Sequence, residues 1–158
     1  MAAIYFAFAV LTVDQLSKFI ILKSLHPGES LPVIKGIFHI SLIFNKGFAF
    51  GLFSRQSTVF IWVVYVAVIF IIFITALHRN ILLREKNTRF FLSLVLAGAI
   101  GNLIDRIRFG AVVDFLDFRI WPVFNMADAA ITVGISLLLL QMLKQKQRSP
   151  KPVDKLKT

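Results

Sequence analysis

The sequence has no cysteine among its 158 residues, which excludes disulfides, thiolate nucleophiles and every zinc motif built on cysteine pairs. Charge is scarce: Asp, Glu, Lys and Arg make up 16% of the chain, against about 25% in an average soluble domain. Acid is scarcer still, with eight Asp and Glu in all. Histidine is confined to His26, His39 and His78. They form neither an HExxH motif nor an i,i+4 pair, so neither a metal nor a cofactor is expected. GxSxG, P-loop and dinucleotide fingerprints are missing too. A Ser17/Lys18 catalytic pair fails because adjacent helical residues point apart.

What the chain has in excess is apolar residues, 58% of the total, with a mean hydropathy of +0.80. They fall into blocks of about 20 residues, the length that crosses a hydrocarbon core of ~30 Å as a helix. The expected fold class is an all-α membrane protein with four transmembrane helices, at about 2–22, 58–77, 90–107 and 123–143. The first block carries Asp14 and Lys18, one turn apart and able to pair on one face. It lacks a basic leading region, so it reads as a retained span and not as a cleaved signal peptide. The second block is free of charge and reads as a lipid-facing wall. Small residues in the third and fourth (Ser93, Ala97, Gly101; Ala130, Gly134) predict close helix contacts.

The net charge of +10 does not point to nucleic acid, because the basic residues lie between and after the apolar blocks and not on an aromatic-laced face. Ten of the 18 Lys and Arg fall in two segments, 78–89 and 144–158. The positive-inside rule makes both cytoplasmic, together with the N-terminus. Residues 144–158 then read as a disordered basic tail, and 1–143 as a single membrane domain. Segments 23–57 and 108–122 face outward. In the first of these, β-type runs at 31–34 and 37–44, broken by Pro27, Gly28, Pro32 and Gly36, predict a small β platform between helices one and two.

Five of the eight acids, Asp14, Asp105, Asp114, Asp117 and Asp128, gather with Asn102 and Asn125 toward the outer side of the membrane. Asp14, about eight residues from the end of its span, lies ~12 Å deep. A carboxylate at the centre of a membrane helix costs roughly 2.5–3.5 kcal/mol on insertion scales, so such a cluster points to function. Structural roles compete residue by residue: Asp14 with Lys18, Asp105 with Arg106 or Arg108, Asp117 with Arg119. Asp114 and Asp128 sit in apolar settings (AVVDFLDF, FNMADAAI) with no basic residue within a turn. Two carboxylates sharing a dry site hold one proton between them, the arrangement an aspartic protease uses to activate water. A proton-coupled transporter is the rival reading, but it needs polar residues through the full membrane thickness. A passive scaffold is the third, and it predicts that either acid can be lost without harm.

Five motifs in order, DQLSK (14–18), NKGFAFG (45–51), AGAIGNLIDR (97–106), VVDF (112–115) and FNMADA (124–129), resemble those of the bacterial lipoprotein signal peptidase, or type II (prolipoprotein) signal peptidase. The resemblance spans essentially the whole chain. It implies an aspartic endopeptidase of the bacterial cytoplasmic membrane, monomeric and embedded in the lipid bilayer. Such an enzyme removes signal peptides from diacylglyceryl-modified prolipoproteins just before the lipidated cysteine. It places the dyad on Asp114 and Asp128 and substrate-lining or supporting roles on Asp14, Lys18, Asn45, Gly47, Asn102, Asp105, Arg106 and Asn125. The chain departs from the family in having Ala97-Gly98 where GG is usual, and in starting Met1-Ala2-Ala3 where basic residues usually precede span one.

Overall fold

The structure, a computed structural model, describes residues 2–46 and 86–148. The expected second span, Gly47 and the end of the basic tail lie outside the described residues. Three long helices, α1 (Ala2–Ser24), α2 (Lys86–Phe109) and α3 (Met126–Arg148), pack with a three-stranded sheet of β1 (Ser30–Ile34), β2 (Phe38–Asn45) and β3 (Val112–Asp117). Two of the helices, α1 and α2, are long and apolar enough to cross a membrane, and the apolar part of α3 is shorter, Met126–Gln141. Helix α3 also runs to Arg148, several residues into the stretch expected to be a disordered tail.

Helix α1 is inverted relative to a helix of a water-soluble protein. Its buried residues are Asp14 and Lys18, whereas Tyr5, Phe8, Leu16, Phe19 and Ile20 are exposed. Contiguous apolar exposure of this kind marks a surface that meets something other than water, and lipid fits a 23-residue apolar helix. Between helices, small residues permit close approach. A Cβ on Gly98 would meet the Ala127 carbonyl, and one on Gly101 would meet the Asp14 carboxylate. Gly98, outside the stripe read from the sequence, makes the nearest approach to α3.

The sheet order is β1-β2-β3, with both pairs antiparallel. The hairpin β1–β2 turns at Gly36, whose φ of 77° suits glycine in a turn closed by the Ile37 N–H to Ile34 carbonyl bond of 3.0 Å. Pro32 is tolerated because β1 is an edge strand. The segment 108–122, expected to be a plain outer loop, instead supplies β3 and completes the platform. Gly110, at φ 67°, ends α2 in a left-handed cap, donating its N–H to the Arg106 carbonyl at 2.9 Å and turning the chain into β3.

Candidate active site

The polar residues of α1 and α2 form an ion-paired cluster. Lys18 Nζ lies 2.9 Å from Asp14 Oδ2, 2.7 Å from Asp105 Oδ2 and 3.2 Å from Asn102 Oδ1, so its three protons have three acceptors. Asp14 and Lys18 are 0% and 2% exposed. At that burial a charge must be paired and hydrogen-bonded to be tolerated. The anions do further work. Asp14 Oδ1 accepts the Ala127 N–H of α3 at 2.9 Å, and Asp105 Oδ2 accepts the Val113 N–H of β3 at 3.1 Å. One ion cluster thus fixes the start of α3 and the strand leading to Asp114.

Asn125 precedes α3 as its N-cap, its Oδ1 accepting the Asp128 N–H at 2.9 Å. That leaves its amide free to donate to Asp114 Oδ1 at 2.7 Å and to Asn102 Oδ1 at 3.2 Å. Asn102 in turn donates to Asp128 Oδ1 at 2.7 Å. A continuous chain of amides therefore joins the two carboxylates: Asp114, Asn125, Asn102, Asp128. On the far side, Asn45 Nδ2 donates to Asp114 Oδ2 at 2.8 Å.

Asn45 reaches that oxygen because of an irregularity in the sheet. Ile40 pairs with Leu116 and Ile43 with Asp114, so three steps on β2 oppose two on β3. The extra residue reverses the parity of the strand. Before the bulge, Ser41 shares the face of Asp117 and bonds it at 3.0 Å; beyond it, Asn45 lies opposite Val112, on the face of Asp114. In a regular ladder Asn45 would point away from Asp114.

Burial first, then the charge of Asp128, pushes the Asp114 carboxyl from 3.8 up to about 7, against the hydrogen bonds from Asn45 and Asn125 that favour its ionised form. Asp117, three residues on and on the opposite face, behaves differently. Burial would raise it, but the Arg119 N–H and guanidinium and the Ser41 hydroxyl outweigh that and hold it below the usual carboxylate range. The Arg119 partnership expected from spacing is present at 3.0 Å.

Of the sequence-nominated residues, Asp14, Lys18, Asn45, Asn102, Asp105, Asp114, Asn125 and Asp128 fall into this one network. Arg106 stands beside it, its Nη1 3.5 Å from the Asn102 carbonyl. The ion partner of Asp105 is Lys18, from another helix, where sequence spacing suggested Arg106 or Arg108. Gln15 was passed over. Its amide lies 3.0 Å from Asp14 Oδ2 and 3.2 Å from Asp105 Oδ1, bridging the two acids, and the only hint was its place inside DQLSK.

Fold and site together define a helical membrane protein with an enzyme-like polar site packed between its helices and a surface sheet. Two solved bacterial membrane enzymes are similar over nearly the whole chain. One, at 2.3 Å resolution, has a TM-score of 0.77 and 32% identity over 97% of this chain and 94% of its own. The other, at 1.9 Å, has a TM-score of 0.75 and 33% identity over 90% and 93%. The profile of a family described as signal peptidase (SPase) II matches residues 6–144. The lipoprotein signal peptidase of Moorella thermoacetica is 50% identical over 87% of this chain and 89% of its own length, and that of Halothermothrix orenii is 40% identical over 87% and 92%. The chain belongs to the signal peptidase II family, and is a membrane peptidase.

Proposed function

We propose that the chain is an intramembrane aspartic endopeptidase that removes the signal peptide from diacylglyceryl-modified prolipoproteins, cutting before the lipidated cysteine with the Asp114/Asp128 dyad. The observation that carries this reading is the amide chain that links the two carboxylates, with Asn125 donating to Asp114 and to Asn102, and Asn102 to Asp128. One carboxylate, ionised, takes a proton from water as the water oxygen attacks the scissile carbonyl. The other, protonated, donates to the carbonyl oxygen. Collapse of the resulting diol returns a proton to the departing amine. The two acids titrate as a pair, so the roles belong to the dyad and not to either residue.

The rest of the site serves that chemistry in this reading. Asn125 and Asn102 aim the two carboxylates, Asn45 and the glycine-containing segment after it close over the substrate from outside, and the Lys18 cluster holds α1, α2, β3 and α3 in register. The substrate enters sideways from the outer leaflet, its acyl chains against the apolar helices. Residues 1–143 act as one domain with four spans, both termini cytoplasmic, in the bacterial cytoplasmic membrane, as a monomer.

The test is direct. Asp114→Asn and Asp128→Asn proteins, shown to be folded, are incubated with a diacylglyceryl prolipoprotein in detergent. Each is expected to lose at least about 10²–10⁴-fold in cleavage rate, the usual contribution of a general acid or base. Normal cleavage by either variant defeats the dyad. A reporter fused after Lys86 tests the topology, and an external signal there overturns the orientation.

A further inference from the structure

The loop from β3 to α3 spends strain to hold apolar side chains outward. Arg119 is the one non-glycine residue with positive φ among the described residues, at 65°, a strained conformation for a bulky side chain that is kept only where its surroundings enforce it. Here they do. The Arg119 N–H and Nη1 bond to the two oxygens of Asp117 at 2.9 and 3.0 Å, and the Ile120 N–H closes on the Phe118 carbonyl at 2.7 Å. Phe118 is itself held between the tilted ring of Phe38, at 4.8 Å, and the stacked ring of Phe124, at 5.9 Å. The product of this bracing is Ile120 at 94% exposure and Trp121 at 68%. A loop with no use for an exposed Ile-Trp pair would relax and fold it inward.

The neighbouring surface has the same character. On the β1–β2 hairpin Leu31, Val33, Ile34 and Ile37 are more than half exposed, and at the adjoining end of α1 so are Phe19 and Ile20, continuing the apolar face of that helix onto the platform. Interleaved with them are exposed cations, Lys23, Lys35, Lys46, Arg108 and Arg119, against a single exposed acid among the described residues, Glu29, since Asp114 and Asp117 are buried. An apolar surface continuous with membrane helices, tipped with tryptophan and ringed by Lys and Arg, has the chemistry of the headgroup layer, where indole rings settle and anionic lipid attracts cations.

We infer that the 118–122 loop and the β1–β2 hairpin dock into the lipid headgroup layer on the platform side of the membrane, with Ile120 and Trp121 inserted and the surrounding cations on anionic phospholipid. The docking sets the platform, and with it Asp114, at a fixed depth. It stands apart from the dyad chemistry, so the two can fail separately.

The experiment uses the full chain carrying Trp62→Phe, which leaves Trp121 as the sole tryptophan, reconstituted into vesicles of phosphatidylcholine alone or mixed with phosphatidylglycerol. Phosphatidylcholine brominated near the top of its acyl chains is expected to quench about half or more of the Trp121 emission, with aqueous acrylamide quenching little, as for an interfacial indole. Quenching is expected to be stronger in the mixed vesicles. If Trp62→Phe does not fold, the difference in emission between the native chain and Trp121→Phe reads the same signal. Trp121 open to acrylamide and untouched by bromolipid overturns the docking. Equal quenching in both vesicles overturns the anionic part, and protection that tracks protein-to-lipid ratio assigns the surface to a second copy of the chain and overturns it as well.

Discussion

Two groups of carboxylates lie side by side in this protein, and they differ in their direct partners. Asp14 and Asp105 are bridged by Lys18 at 2.9 and 2.7 Å. Asp114 and Asp128 are joined through neutral amides. In the first group an ammonium lies between the two acids, which accept the backbone N–H groups of α3 and β3. In the second the direct partners are amides, and burial, followed by the charge of Asp128, pushes Asp114 up to about 7. The same residue type meets an ammonium in one group and amide donors in the other.

The comparison can be broken most severely from either side. Asp114→Asn or Asp128→Asn is expected to lower the cleavage rate by at least about 10²–10⁴-fold with the fold intact. Lys18→Met should do the reverse, leaving two buried carboxylates unpaired at a cost of about 3–5 kcal/mol, seen as a large fall in thermal midpoint in detergent. A Lys18→Met protein as stable as the parent would show that the cation is not what separates the groups. Gly101→Ala, whose methyl meets the Asp14 carboxylate, is expected to cost about 1–3 kcal/mol by overpacking. Ala97→Gly provides a control at a neighbouring position.

Smaller effects sharpen the contrast through pH. A carboxyl raised to about 7 holds its proton below that pH, so cleavage should fall as pH rises through about 7 and the shared proton is lost. Asn45→Ala removes a hydrogen bond that favours the ionised form, so the basic limb of the rate profile should move to higher pH; a downward shift would contradict the assignment. The linkage to stability has the same sign. With the folded value above 3.8, the contribution of Asp114 is full below 3.8 and is lost as pH rises toward about 7. Asp114→Asn should therefore gain most relative to the parent above pH 7. Asp117, held low by Arg119, gives the opposite and smallest trend: its stabilisation is present above 3.8 and is lost as pH falls through its lower folded value. Asp117→Asn should flatten the acid side of the stability curve without moving the rate profile.

Much of this was legible locally. Helices α1 and α2 follow from apolar blocks of spanning length, and the two platform strands on either side of Gly36 from β-type runs broken by Pro and Gly. The Asp117–Arg119 pair follows from a spacing of two residues. The third strand was not legible, because VVDFLD carries no helical period and is buried almost throughout, without the alternation that marks a half-exposed strand. Nor was the extension of α3 to Arg148, since a run of Lys and Gln reads as a solvated tail until packing upstream nucleates the helix.

By itself the sequence determined the solvent of this protein and the inventory of its site: apolar blocks that only lipid can cover, and a few acids and amides too costly to be buried idly. Tertiary structure decided what each of them does. Lys18 meets Asp105 and Asp14 meets Ala127 across separations of 87 and 113 residues, and a one-residue bulge in β2 turns Asn45 toward Asp114. Such pairings depend on how helices and strands pack, and residue order along the chain carries no signal of them. The division between the ion-paired acids and the amide-linked acids is therefore a property of the fold.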